Sequence, residues 1–204
     1  MTNPTISLIK RRISANRFDT SHTLADAEIE ELARLATRAP TAYNLQNWRF
    51  IAVRTAEAKA QLRALAWNQV KVEEATVTFI ICGVLPDAKT LPERLQPSVD
   101  AGFMPPDMPL EWSTAAGAQY ADPQTARDEA VRSATFGAAT LIHAAEAVGL
   151  ASGAMAGFDA EGIAEAFGLR KNEVPAVLVA VGRAAPGNWP QKPRRPIAEV
   201  LEIV

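Results

Sequence analysis

Residues 77 to 84 read VTFIICGV, a run with no charge and with β-branched side chains at Val77, Thr78, Ile80, Ile81 and Val84. So short an apolar run reads as a strand buried on both faces. A strand of that kind needs cover from the rest of the chain, so helices have to pack on both sides of its sheet. Residues 24–38 provide one, with Ile29, Leu32, Ala33 and Ala36 on a single face and Pro40 ending it. Residues 49–53 read as a second strand and 55–67 as a second helix rich in Ala, Leu, Glu and Lys. A long helix is expected from about Gln124 to Val148, with Ala134, Ala138, Leu141, Ala145 and Val148 as its small-residue face. A short helix follows near 159–168, and Ala176 to Val181 is the third strand. Few strands and clustered helices argue for an α+β fold. The whole chain, 1–204, reads as one domain.

Two stretches depart from that pattern. Residues 85–123 hold half of the chain's 14 prolines, Pro86, Pro92, Pro97, Pro105, Pro106, Pro109 and Pro123. This is expected to be a long, weakly periodic excursion of the kind that forms lids. From Ala184 the composition turns to Pro, Gly, Lys and Arg, and the chain ends in IAEVLEIV, whose apolar residues need a partner.

Several chemistries find no support. A net charge of −2 gives nothing for nucleic acid or an anionic membrane to bind. Two histidines and the single Cys82 do not build a structural zinc site or a disulfide framework. No G-x-S-x-G, G-x-x-x-x-G-K-[ST] or G-x-G-x-x-G motif occurs. MTNPTISLIKRR has no apolar run before its charges, so a cytoplasmic, membrane-free protein is expected. An enzyme with these residues relies on a bound organic cofactor and not on its own nucleophile or a metal.

Three polar constellations remain. Arg11-Arg12-Ile13-Ser14-Ala15-Asn16-Arg17 fits a phosphate grip of guanidinium forks, hydroxyl and amide, and equally a solvated basic helix end. RAPTAYNLQNWRFIAV, 38–53, crowds Thr41, Tyr43, Asn44, Gln46, Asn47 and Trp48 between a helix and a strand. Thr41 and Asn44 there could simply satisfy a turn. Lys192-Pro193-Arg194-Arg195-Pro196 reads as a stiffened basic arm.

In this order, RRISANRFD, APTAYNLQNWRF, NQVK, GLASGAMAGFD and KPRRP resemble the FMN-dependent nitroreductase family, from about Leu8 to the C-terminus. The resemblance implies a nitroreductase-like fold, a central, mostly antiparallel sheet flanked by helices. It implies a homodimer with two FMN sites at the interface, and a C-terminal arm, 184–204, exchanged across it to add a strand to the partner's sheet. Burying the arm removes apolar surface from water at about 25 cal/mol per Å².

The family's flavin contacts carry over by position. Arg12, Ser14 and Asn16 match the first phosphate and ring segment, with Ile13 contributing backbone alone. Thr41, Ala42 and Asn44 match the segment that a second subunit lends. Gln69 and Lys71 match polar positions near the pyrimidine edge and ribityl chain, Lys71 with an electrostatic role. Met155, Ala156 and Gly157 match a backbone turn aimed at flavin N5, and Lys192 and Arg194 match the basic pair on the phosphate. Read alone, Gln69 and Lys71 could be an exposed helix end, and Gly157 a turn glycine.

The implied activity is hydride transfer from NADH or NADPH through flavin N5 to a nitroaromatic, quinone or activated enal, by a ping-pong mechanism. No side chain acts as a catalytic acid or base. Phe103 and Trp112, with Met104, Met108 and Tyr120, are the expected substrate wall. A flavoprotein of this fold with dehydrogenation, dehalogenation or flavin-breaking chemistry, or a non-enzymatic helical adaptor, stands as the alternative.

Overall fold

The computed structural model describes residues 3–204. Eight α-helices surround one four-stranded sheet: α1 (Pro4–Arg11), α2 (Asp26–Ala36), β1 (Trp48–Val53), α3 (Ala56–Leu65), α4 (Lys71–Glu74), β2 (Val77–Val84), α5 (Leu91–Asp100), α6 (Met108–Gln119), α7 (Pro123–Ala147), β3 (Ala151–Met155), α8 (Ala160–Ala166) and β4 (Glu173–Gly182). The strand order is β1-β2-β4-β3 and every neighbouring pair is antiparallel. This is the expected α+β class. No described helix is long and apolar enough to cross a membrane.

The strand at 77–84 is central, as its composition requires. Val77, Phe79 and Ile81 point into a core under α2 and α7, with Val179 and Val181 of β4. Ile80 and Cys82 point the other way, into a core with Leu62, Ile163, Leu178 and Ala180. The period-two alternation of a strand divides one apolar run between two cores. The small-residue face of α7 lets that helix lie very close to the sheet: a Cβ on Gly83 would stand 2.1 Å from the Ala130 carbonyl oxygen. Burial pushes the Cys82 thiol up to about 12, with the Glu173 carboxylate adding to the shift. Cys82 is thus an inert core residue.

The 85–123 stretch corrects the sequence reading. It is mostly helical, as α5 and α6, and its buried residues Leu91, Leu95, Ala116 and Tyr120 form a third core with Leu45 and Ala126. Its prolines misled because three of them, Pro92, Pro109 and Pro123, stand in the first turn of a helix. There the missing N–H has no partner to lose. Trp112 belongs partly to this core, its ring edge-on to Tyr43 at 5.7 Å. Phe103, beyond the end of α5, is 86% exposed.

Three further elements, β3, α1 and the short α4, are not expected from the sequence. β3 lies in GLASGAMAG, where glycine and alanine hide the strand signal, and α1 precedes the basic stretch. The C-terminal residues form only a single 3-10 turn, Ile197–Glu199, and Val200, Leu201, Ile203 and Val204 are all exposed.

Candidate active site

The first constellation leaves α1 and runs beside β3. Ser14 bridges to Ser152, and the Ala15 N–H donates to the Ser152 carbonyl at 2.9 Å. The approach is tight, since a Cβ on Gly153 would stand 2.2 Å from the Ala15 carbonyl oxygen. Only glycine fits there.

The arm brings its basic residues to the same place. Gln191 Nε2 donates to the Arg12 carbonyl at 3.0 Å, and one small cavity is lined by Arg12, Ser14, Trp189, Gln191, Lys192 and Arg194. The Arg12 guanidinium donates to the Ile13 carbonyl at 2.9 Å. Arg194 donates to the Lys192 carbonyl at 2.9 Å.

Lys71, at the start of α4, is half-buried close to Gly153. Its ammonium is pushed below the ordinary lysine range by burial first and by the charge of Lys192 second. Arg11, Arg17, Arg49, Arg54 and Arg63 all have carboxylate partners. Among the described residues Arg12, Lys71, Lys192 and Arg194 have none. Positive groups left together without counter-charge make a site for an anion.

Gln69 and the turn after β3 complete this side. Gln69 Nε2 donates to the Gly157 carbonyl at 2.9 Å, so Gln69 is half-buried and engaged, not a free helix end. Met155 is the last, buried residue of β3 and not part of the turn, which begins at Ala156. Among the described residues neither the Ala156 nor the Gly157 N–H donates to a protein acceptor. The Trp67 ring covers Gly157 so closely that a Cβ there would meet it at 2.7 Å. Trp67 and Asn68 both have left-handed backbones, φ 52° and 57°. Asn16 is exposed, and its N–H donates to Asn188 Oδ1 at 2.7 Å. Trp67, Asn188, Trp189 and Gln191 cover, brace or line these candidate segments and are not expected from the sequence; only the asparagine before Gln69 hints at a turn.

The second constellation is elsewhere. Thr41, Ala42 and Asn44 lie on a strained loop in which Tyr43, Asn44 and Gln46 all have positive φ, at 51°, 54° and 45°. Strain of this kind in non-glycine residues collects at functional sites. The loop is held by Thr41 Oγ1, which accepts the Gln46 N–H at 3.0 Å, by Tyr43, which donates to Gln119 at 2.8 Å, and by Asn47, which donates to the Val84 carbonyl at 2.9 Å. Trp48 packs beside Phe50 in β1. Arg49 pairs with Glu173 of its own chain at 2.9 Å. Trp48, where the loop enters β1, and Ser152, beside the first constellation, are three strand spacings apart and seven residues apart along β4, from Val174 to Val181. That is about 14 Å across the sheet and about 23 Å along it. One chain does not bring the two constellations together.

The donor set fits a flavin monophosphate: unpaired cations and a hydroxyl for the phosphate, and open amides beside an aromatic ring for the flavin. Comparison with known families agrees, for a model of the nitroreductase family matches residues 9–183. The chain belongs to the nitroreductase family. It is 32% identical over 201 residues to YodC of Bacillus subtilis (strain 168), named as an NAD(P)H nitroreductase, with 98% of both chains covered. It is also 32% identical over 199 residues to a protein of Thermus thermophilus named NADH dehydrogenase, covering 97% of this chain and 93% of that one. Its fold matches the crystal structure of a nitroreductase in complex with FMN from Exiguobacterium sibiricum 255-15, with a TM-score of 0.89 and 28% identity, over 100% of this chain and 99% of the other. As a nitroreductase family member the chain is an oxidoreductase.

Proposed function

We propose that the chain is a homodimeric, cytoplasmic FMN enzyme that passes hydride from NADH or NADPH to a flat, electron-poor acceptor by a ping-pong mechanism. The observation that carries this is the cluster of unpaired Arg12, Lys192 and Arg194 around Ser14, with the charge of Lys71 near enough to feel Lys192. Arg12, Ser14, Lys192 and Arg194 hold the phosphate. Gln69 fixes the turn so that the Ala156 and Gly157 N–H groups stay open toward the flavin ring, and Lys71 places positive charge near its pyrimidine edge. Bound FMN supplies reversible hydride storage, which none of these side chains can supply. Thr41, Ala42 and Asn44 reach the same ligand from a second copy, because in one copy they stand at the other corner of the sheet.

Pairing also gives the arm its place. The outer edge of β3 is occupied by Ser14 and Ala15, so β1 has the open edge for an added strand. The α5–α6 hairpin, with Phe103 at its tip and Trp112 behind Tyr43, covers the acceptor. Nitroaromatics, quinones and activated enals share the chemistry that such a site accepts.

The test is the visible spectrum of the purified protein and its bleaching by NADH or NADPH without oxygen, followed by recovery with a quinone or nitroaromatic. Parallel double-reciprocal plots are expected. A colourless protein that ignores added FMN sinks the proposal.

A further inference from the structure

The root of the C-terminal arm is fastened at two points, and an exposed tryptophan stands between them. Asn188 Oδ1 accepts the N–H groups of Asn16 and Arg17 at 2.7 and 3.1 Å, while Nδ2 donates to the Arg17 and Ala185 carbonyls at 2.8 and 3.0 Å. Three residues on, Gln191 Nε2 donates to the Arg12 carbonyl at 3.0 Å. Trp189 and Pro190 are thus held as a short bridge over the Arg12–Arg17 segment.

Trp189 is 65% exposed, and single exposed apolar residues need no function. This one differs in its setting. Its ring lines the same cavity of about 30 Å³ as Arg12, Ser14, Lys192 and Arg194. The Lys192 ammonium lies 5.6 Å from its centroid, within reach of a cation–π contact. The ring faces the cation cluster, and its position is set by hydrogen bonds on both sides.

We infer that Trp189 is a specificity-determining wall that ends the flavin site at one phosphate. The clasp of Asn188 and Gln191 fixes the ring at the cavity, and the ring steadies Lys192 over the phosphate. On this reading a terminal phosphate takes its contacts from Arg12, Ser14 and Lys192. A flavin whose phosphate continues into a second phosphate and adenosine has to displace the ring. The site therefore takes FMN and rejects FAD. This rests on the phosphate assignment proposed above.

Flavin fluorescence titrations of the flavin-free protein with riboflavin, FMN and FAD test it, in the native chain, Trp189→Ala and Trp189→Phe. The native chain should bind FMN more tightly than FAD by about tenfold or more, the order of discrimination a pocket wall imposes on one added group. Trp189→Ala should bring that ratio close to one, and Trp189→Phe should keep it. Because the side chain is exposed, the thermal midpoint of both variants should match the native protein. An unchanged FMN-to-FAD ratio in Trp189→Ala overturns the inference, as does native FAD binding as tight as FMN. FAD binding that is tighter than FMN and lost in Trp189→Ala would make the ring a stacking shelf for adenine, which also overturns it. Equal binding of riboflavin and FMN by the native chain instead refutes the phosphate assignment itself.

Discussion

The side-chain amide of Gln69 holds the carbonyl of Gly157 at 2.9 Å, joining two segments 88 residues apart in sequence. Replacing Gln69 with leucine removes that bond and costs about 1 kcal/mol of stability, the usual net value of one hydrogen bond. The larger effect is expected at the cofactor. With the turn free to rotate, FMN affinity falls and the flavin becomes harder to reduce. A redox titration in which Gln69→Leu has the native potential argues that the turn does not steer the flavin.

Among the described residues Arg194 makes no contact with a carboxylate, and the Lys192 carbonyl is the one hydrogen-bond acceptor of its guanidinium. Arg194→Ala should weaken FMN by about 1.5–3 kcal/mol, the range for a hydrogen bond to a charged group, and leave riboflavin nearly unchanged. Calorimetric binding of the two ligands measures the difference directly. The same loss for both ligands is incompatible with a phosphate contact.

Lys71 lies below the ordinary lysine value of 10.5. In the flavin-free protein the unfolded chain holds this proton more tightly than the folded one. Between the lowered value and 10.5 stability therefore rises with pH. Bound FMN acts in the opposite direction, because its phosphate offsets the charge of Lys192, which otherwise disfavours the Lys71 ammonium. Binding in that window should take up a proton, and affinity should fall as pH rises through it. Calorimetry at alkaline pH in buffers of different ionisation enthalpy reads the uptake, which Lys71→Met should abolish.

Phe103 and Trp112 separate on the structure. Phe103→Ala should leave stability and FMN affinity unchanged, since the ring is 86% exposed, while altering the ratio of quinone to nitroaromatic turnover. Trp112→Ala should instead cost about 2 kcal/mol, less than a fully buried aromatic, because its ring packs against Tyr43 and the third core. Thermal unfolding together with the two turnover rates tells the roles apart. An unaltered ratio in Phe103→Ala removes it from the substrate wall.

The exposed Val200, Leu201, Ile203 and Val204 predict a dimer at low micromolar concentration. Truncation after Pro196 should shift sedimentation toward the monomer and release FMN. A stable, flavin-loaded monomer of the full chain would falsify the pairing.

The sequence was most readable where burial is complete. VTFIICGV announced β2, and the alanine face announced α7. It was least readable where glycine and proline do unusual work. GLASGAM forms β3 without a β-branched residue, and Gly153 in it makes room for Ala15. Pro92 and Pro109 start helices in a stretch that reads as loop. Each polar segment of the candidate site stands out by its residue types, yet no single segment carries the arrangement. The separation of Asn44 from Arg12 depends on the order β1-β2-β4-β3, which crosses the chain over itself. The roles of Asn188 and Gln191 lie in backbone contacts that composition does not encode.

That diagonal separation has a genetic consequence. On the proposed pairing, each site of a dimer takes its phosphate grip from one copy and its Asn44 loop from the other. A copy damaged at Arg12 and a copy damaged at Asn44 are each inactive as pure dimers. Paired with one another, they place both lesions in one site and leave the second site whole. Cells carrying both alleles should recover activity that neither allele gives alone.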